Sequence, residues 1–445
     1  MKERQTENRP TQVPDEAKQV GDIRSRWLWV EPNVWTERML TALENGVKGG
    51  KWYSLMDKVH SMSNLRSAFA MVKANQGAPG VDHQTIEMFE ARLEDNLCRL
   101  AEALRSGRYR PQAIKRVWIP KPGTSEKRPL GIPTVRDRVV QSALRNVLEP
   151  IFERDFALRS YGFRPGLGCK DALRQVAALL NEGYVFVVDA DLKSYFDTIP
   201  HDLLMARLRE KIADNMLLSL VESFLTQKVM DTAAGWTPET GAPQGAVLSP
   251  LLSNIYLDPL DHLLARHGLD MVRYADDFVL LCRTESEAIL ALELVRQWTA
   301  CAGLTLHPLK TRIVDARLPG GFDFLGYHFE RGRRWPRTKS LKKLKETICA
   351  KTKRCNGHSL TEIISDINRT LPGWFAYFQH SRRRTFSRLD SWIRMRLRSV
   401  LRKRRGGRGR GRGADHQRWP NAFFAEQGLF FLTTAHALAC QSARR

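Results

Sequence analysis

Apolar residues recur at three- and four-residue steps through Met88, Phe89, Leu93, Leu97 and Leu100, a spacing that predicts a helix. The helical pattern covers about 60–105 and is broken by a turn sequence, NQGAPGVD, at 75–82. Over 115–135 the period changes. VWIPKPG followed by TSEKRPLGIP reads as a strand, a turn and an extended segment, punctuated by Pro and Gly. Helical spacing returns from Asp137 to Phe152 and again over 202–227 and 285–302. YVFVVDADL at 184–192 is rich in β-formers and predicts a buried strand that ends in acids. MVRYADDFVLL at 271–281 is two short apolar runs around a tight acidic turn, which predicts a hairpin. GFDFLGYHF at 321–329 predicts one more strand. Strands and helices in this order give an α+β fold, not the regular alternation of a doubly wound sheet.

The two ends of the chain have a different texture. Residues 1 to about 50 read as a weakly ordered polar extension, with Trp27, Trp29 and Trp35 as apolar exceptions fit to dock on the body. After 340 the pattern is helical and basic. GGRGRGRG at 406–413 breaks it, and a short apolar unit, WPNAFFAEQGLFFL, follows at 419–432. No internal repeat is visible.

Charge sharpens this picture. The 445 residues carry 71 Lys and Arg against 48 Asp and Glu, a formal +23. Between Arg331 and Gly413 there are 26 basic and 4 acidic residues, so this stretch holds nearly the whole excess. Such a surface attracts a polyanion, above all nucleic acid, in a salt-dependent way. Residues 1–330 are nearly neutral, and their acidic clusters need a reason other than solubility. The seven cysteines are irregularly spaced with no C-x-x-C, which argues against a disulfide framework or a zinc site. The N-terminus is polar and no apolar run reaches membrane-spanning length, so a cytoplasmic chain without membrane contact is expected.

Two acidic features carry the chemistry. Asp189 and Asp191 end the apolar run at 184–192, and Asp276 and Asp277 sit side by side in the hairpin turn. Adjacent like charges beside a core are costly unless a cation neutralises them, and hard oxygen ligands select Mg²⁺ or Mn²⁺. Two such ions can clamp the attacking and leaving oxygens of a phosphoryl displacement. The residues by themselves point to a metal-dependent nucleotidyl transferase.

Several segments, taken in order, resemble a known family. Tyr274-Ala275-Asp276-Asp277 is similar to the YxDD hairpin of reverse transcriptases, and the segment from Asp191 to Asp197 resembles their first catalytic segment. APQGAVLSPLLSNIYLDPLD (242–261), GLTLHPLKTRIV (303–314) and FDFLGY (322–327) resemble the stretches between and after these. IPKPGTSEKRPLGIPTVRDRVVQ (119–141), SYGFRPGLGCKDAL (160–173) and LPGWFAYFQ (371–379) are similar to fingers and thumb segments of group II intron enzymes. The resemblance covers roughly residues 60–400 and rests on the ordered set rather than on any single motif.

The resemblance implies a right-hand polymerase. Residues 1–55 would be a partly disordered extension and 56–115 the helical N-terminal part of the fingers. Fingers and palm would occupy 116–330, the thumb or maturase domain 331–405, and a Gly/Arg linker with a nucleic-acid-binding tail 406–445. Asp191, Asp276 and Asp277 would hold two Mg²⁺ ions, with Mn²⁺ as a substitute and the Ala190 carbonyl contributing. Lys121 and Arg128 would grip the incoming triphosphate, Phe196 would exclude ribonucleotides, Gln244 would touch the nucleotide sugar, and Lys310 would lie nearby. Arg333, Arg334, Lys342, Lys343, Arg382, Arg383, Arg394 and Arg398 would contact nucleic acid.

The implied partners are group II intron RNA, an RNA template with its DNA primer, target DNA and deoxynucleoside triphosphates. The chain would act as a monomer or homodimer, nucleoid-associated in a bacterial cytoplasm. The implied activity is RNA-directed DNA synthesis with maturase support of splicing and retrohoming. A free-standing enzyme co-opted by the host for DNA repair or phage defence is the alternative. Nothing after Gly413 has the length or Cys/His spacing of the H-N-H endonuclease domain that many relatives carry. Retrohoming would therefore draw on another primer, such as a nascent strand at a replication fork.

Overall fold

The computed structural model describes residues 23–120, 127–231, 234–355, 357–411 and 413–442. Three small sheets organise it. The first contains β1 (Ile114–Pro120) and β2 (Lys127–Ile132), antiparallel to each other. Strand β3 (Phe186–Asp191) comes next in the chain, followed by β4 (Val229–Asp231) and β5 (Ala234–Trp236), which extend the first sheet in the order β2-β1-β4-β5. The second sheet has the order β6-β7-β3-β8, with β6 (Asp270–Tyr274), β7 (Asp277–Cys282) and β8 (Arg312–Asp315). The third is a meander of β9 (Phe322–Phe324), β10 (Tyr327–Glu330) and β11 (Arg333–Pro336).

The single strand expected at 321–329 is thus a hairpin. Leu325 at φ 45° and Gly326 at φ 84° turn the chain between β9 and β10. The short strands β4, β5, β8 and β11 escaped sequence reading because each has only three or four residues, too few to show a period.

One apolar core joins the N-terminal helices to the inner face of the second sheet. Its axis is the helix Val135–Glu153, buried on nearly every side and started by the Thr134 side chain, which accepts from Asp137 N at 3.3 Å. The helix Met62–Asn75 packs along it, with Asn64 Nδ2 donating to Ala143 O at 3.1 Å. The extension joins this core from residue 23 onward. Trp35 is wholly buried, its indole N–H donating to Asn146 O at 2.9 Å, and Val34, Leu40 and Leu43 pack beside it. Ordered structure therefore begins well before residue 50, because apolar side chains spaced along a polar sequence found a groove to fill.

A second core, with Val187, Val279 and Leu281, sits between the outer face of the second sheet and the β9–β10 hairpin. A third holds the C-terminal helices, Thr338–Lys351, Leu360–Asn368, Leu371–Phe378 and Arg383–Arg404, together with the tail. Phe424, Leu429 and Leu432 of the tail are buried in it, so the apolar unit at 419–432 packs on the basic helices themselves. Among the described residues, no helix is long and apolar enough to cross a membrane.

Candidate active site

Strand register builds the site. β3 runs antiparallel to β7, and Asp191 is the direct cross-strand partner of Asp277. Alternation then puts Asp189, Asp191 and Asp277 on one face, the face that Val187, Val279 and Leu281 bury farther along. Asp276 lies in the two-residue turn between β6 and β7, after Ala275. Ala275 has φ +60°, the left-handed conformation that tight hairpins require and non-glycine residues resist.

A buried polar lock holds that turn. The Arg273 guanidinium is wholly buried and pairs with Asp261, Nε donating to Oδ2 at 2.9 Å. Its Nη1 donates to Asn254 Oδ1 at 2.9 Å and to Ala275 O at 3.1 Å, reaching the strained residue directly. Asn254 Nδ2 in turn donates to Gly162 O at 2.8 Å. A Cβ on Gly162 would run into the Ala275 backbone nitrogen, so this glycine lets the 160–163 segment lie flat against the turn. Sequence reasoning passed over Arg273, Asp261, Asn254 and Gly162. The available signal was a charged residue inside an otherwise apolar strand, directly before Tyr-Ala-Asp-Asp.

Electrostatics set these acids apart from the rest of the chain. Asp277 is exposed at the start of β7, with the other acids close by. Burial and then repulsion from Asp276, Asp189 and Asp191 push its pKa up to about 7. Burial also raises Asp276, with Asp191 adding to the effect, and raises Asp189 against the pull of Arg312. The donor set is all hard oxygen, which fits a divalent ion of the Mg²⁺ type. The carboxylates are not drawn into a closed cage: no group of three His, Cys, Asp or Glu is gathered closely enough to hold a metal among the described residues. Instead the Lys310 ammonium sits on the Asp191 carboxylate. Ala190 is buried between the strands, opposite Phe278.

Phe196 lies in the short helix Tyr195–Thr198 just beyond β3, half-buried and edge-on to Tyr195 at 5.5 Å. The loop carrying Gln244 is clamped on both sides. Ala242 N donates to Phe196 O at 2.7 Å, and Gly131 N of β2 donates to Gln244 O at 2.6 Å. Gln244 Nε2 also reaches Asp197 Oδ2 at 3.5 Å. Phe196, Asp197, Gln244, Arg116, Gly131 and Trp236 line a cleft of about 500 Å³ between the first sheet and this loop. Arg128 is exposed on β2, whereas Lys121 falls outside the described residues.

The basic residues divide into two groups. Arg333, Lys342, Lys343, Arg382 and Arg383 are exposed, with Arg382 stacked 3.9 Å from the Trp335 ring centroid. Arg334 is half-buried over Tyr327. Arg394 and Arg398, expected to face nucleic acid, turn inward onto the tail. Arg398 is 2% exposed and donates to Trp419 O and Asn421 Oδ1, both at 2.9 Å, while Arg394 lies over the Phe431 ring. Both sit on the face of their helix that the tail covers, and helical spacing alone cannot tell a covered face from a free one.

Comparison with known proteins agrees with this geometry. Residues 119–329 match the family described as reverse transcriptase (RNA-dependent DNA polymerase), and 341–419 match the maturase-specific domain of group II introns. Protein YkfC of Escherichia coli is 35% identical over 313 residues, covering 60% of this chain and 81% of YkfC. The chain belongs to the group II intron reverse transcriptase and maturase family. The group II intron-encoded protein LtrA of Lactococcus lactis is 36% identical over 196 residues, 44% of this chain and 32% of LtrA. An uncharacterized 91 kDa protein in a cob intron of Schizosaccharomyces pombe is 35% identical, covering 56% of this chain and 38% of that protein. The chain thus spans most of YkfC but only about a third of LtrA. The chain has the α+β, right-hand polymerase-like fold of reverse transcriptases. Reverse transcriptases use divalent metal ions, and the maturase domain implies intron RNA as a partner.

Proposed function

We propose that the protein extends a DNA primer on an RNA template at Asp191, Asp276 and Asp277, and that its basic thumb binds the group II intron RNA whose splicing and retrohoming it supports. The observation that carries this reading is the cross-strand pairing of Asp191 with Asp277 beside the acidic turn. Two Mg²⁺ ions bound there would neutralise the acids, activate the primer 3′-hydroxyl and offset charge on the departing pyrophosphate. Asp191, Asp276, Asp277 and the Ala190 carbonyl are the ligands in this reading. Lys310 must leave Asp191 for it to ligate, which frees the ammonium to meet nucleotide phosphate.

Phe196 presses on the sugar from below and disfavours a 2′-hydroxyl. Gln244 is held by its clamped loop to meet the same sugar, and Arg128, with Lys121, meets the triphosphate. Target DNA, a nucleoid association and the division into fingers and palm at 116–330 and thumb at 331–405 belong to the same proposal. The deciding experiment is primer extension on an RNA template with deoxynucleotides and Mg²⁺. Wild type should synthesise DNA, and Asp276→Ala should not while keeping its RNA affinity. Extension by the variant would refute the metal-site assignment.

A further inference from the structure

The Gly/Arg run at 406–413 is the motif that the polymerase reading leaves unused. Its residues 406–411 are fastened along the C-terminal half of the helix Arg383–Arg404. Arg402 Nε donates to Arg408 O at 2.9 Å, and Gly411 N donates to Ser399 Oγ at 2.9 Å. Just past the run, Arg402 Nη1 donates to Asp415 Oδ2 at 2.7 Å, so one helix residue ties down both the run and the segment that follows.

The five glycines each have a physical reason. A Cβ on Gly411 would lie 2.5 Å from Arg398 Cβ, and one on Gly407 would lie 2.7 Å from Arg402 Cγ, so these two permit close approach to the helix. Gly406, Gly409 and Gly413 have φ of 76°, 80° and 58°, where a side chain is strained. Between them Arg408 and Arg410 are exposed, beside the exposed Lys403 and Arg405 at the helix end.

We propose that this segment is a rigid arginine strap that grips the phosphodiester backbone of folded RNA. Guanidinium groups present a fork of donors that matches phosphate. A backbone fixed before binding spares the ordering cost that a free Gly/Arg tail would bear. The match to the maturase-specific domain runs through the strap, to residue 419, and favours RNA as its occupant. The choice of RNA rests on the maturase reading, whereas the strap's rigidity rests on its hydrogen bonds to the helix.

The test uses the full chain and a fluorescein-labelled RNA stem-loop, with a DNA stem-loop of the same sequence as competitor. Binding is measured over a salt series. The double variant Arg408→Gln/Arg410→Gln should reduce the slope of log affinity against log salt by about 1.5, roughly 0.7–0.9 for each phosphate left without its arginine. Gly411→Val keeps every charge but lifts the strap, and it should weaken RNA binding several-fold. Arg99→Gln, an exposed residue of the N-terminal helix Leu93–Arg105, is the charge control. An unchanged slope in the double variant, or wild-type affinity in Gly411→Val with an unchanged melting temperature, would overturn the strap. If Gly411→Val unfolds the thumb, the double variant alone decides. Equal competition by the DNA stem-loop would overturn the assignment to RNA. Primer extension by wild type on an unstructured template is run in parallel. Its absence in wild type would refute the polymerase reading and leave the binding result standing.

Discussion

Asp261→Ala should be among the most damaging single changes in the chain. Arg273 is wholly buried and the Asp261 side chain is only 4% exposed. Burial pushes the Asp261 carboxyl up, with the guanidinium pulling the other way, and neither group has water to fall back on. Deleting the carboxylate strands a buried positive charge, which costs about 3–5 kcal/mol. That is a large share of the roughly 5–15 kcal/mol that holds a typical domain together. Asp261→Leu/Arg273→Met removes the stranded charge as well. It should recover about 2 kcal/mol or more relative to the sum of the single changes in a double-mutant cycle. The double variant still lacks the donor to Ala275 O, so the turn bearing Asp276 and Asp277 loosens. Its primer extension should stay well below wild type and should require more Mg²⁺. Urea denaturation gives the stabilities, and extension across a Mg²⁺ series gives the activity. Wild-type stability in Asp261→Ala, or no coupling in the cycle, would refute the energetic argument. Wild-type synthesis by the double variant at every Mg²⁺ concentration would show that the pair supports the fold without positioning the turn.

Other expectations follow from the same geometry. Lys310→Met removes the ammonium that occupies Asp191, so Mn²⁺ should bind more tightly in a direct titration while nucleotide incorporation slows; unchanged Mn²⁺ affinity would dismiss the competition. Phe196→Ala should raise ribonucleotide incorporation relative to deoxyribonucleotide, and an unchanged ratio would remove the gate role. Asp277 has a folded pKa raised to about 7, so its effect on stability is most favourable below the unfolded value near 4 and is lost as pH rises through about 7. In metal-free buffer, Asp277→Asn should therefore melt higher than wild type above pH 7 and show no such gain in acid. A melting difference that does not vary with pH would contradict this.

The sequence by itself determined the elements and the acids. The run 184–192 could be read as a strand ending in carboxylates, and 271–281 as a hairpin, because side-chain period and turn chemistry are local properties. The ordered motifs then pointed to the family. What the sequence could not decide was which residues face one another. The pairing of Asp191 with Asp277 is a matter of register between strands far apart in the chain, and so is the clamping of Gln244 between β2 and Phe196. The lock on the turn joins Gly162, Arg273 and the helix Ser249–Arg266, which carries both Asn254 and Asp261, and only packing brings these three segments together. The same cause explains Arg394 and Arg398. Their charge and helical spacing suggested a solvent face, but the tail's apolar residues bury that face, and burial depends on what a distant segment does. Local chemistry is written in the order of residues, and the contacts that aim it are decided when the whole chain closes on itself.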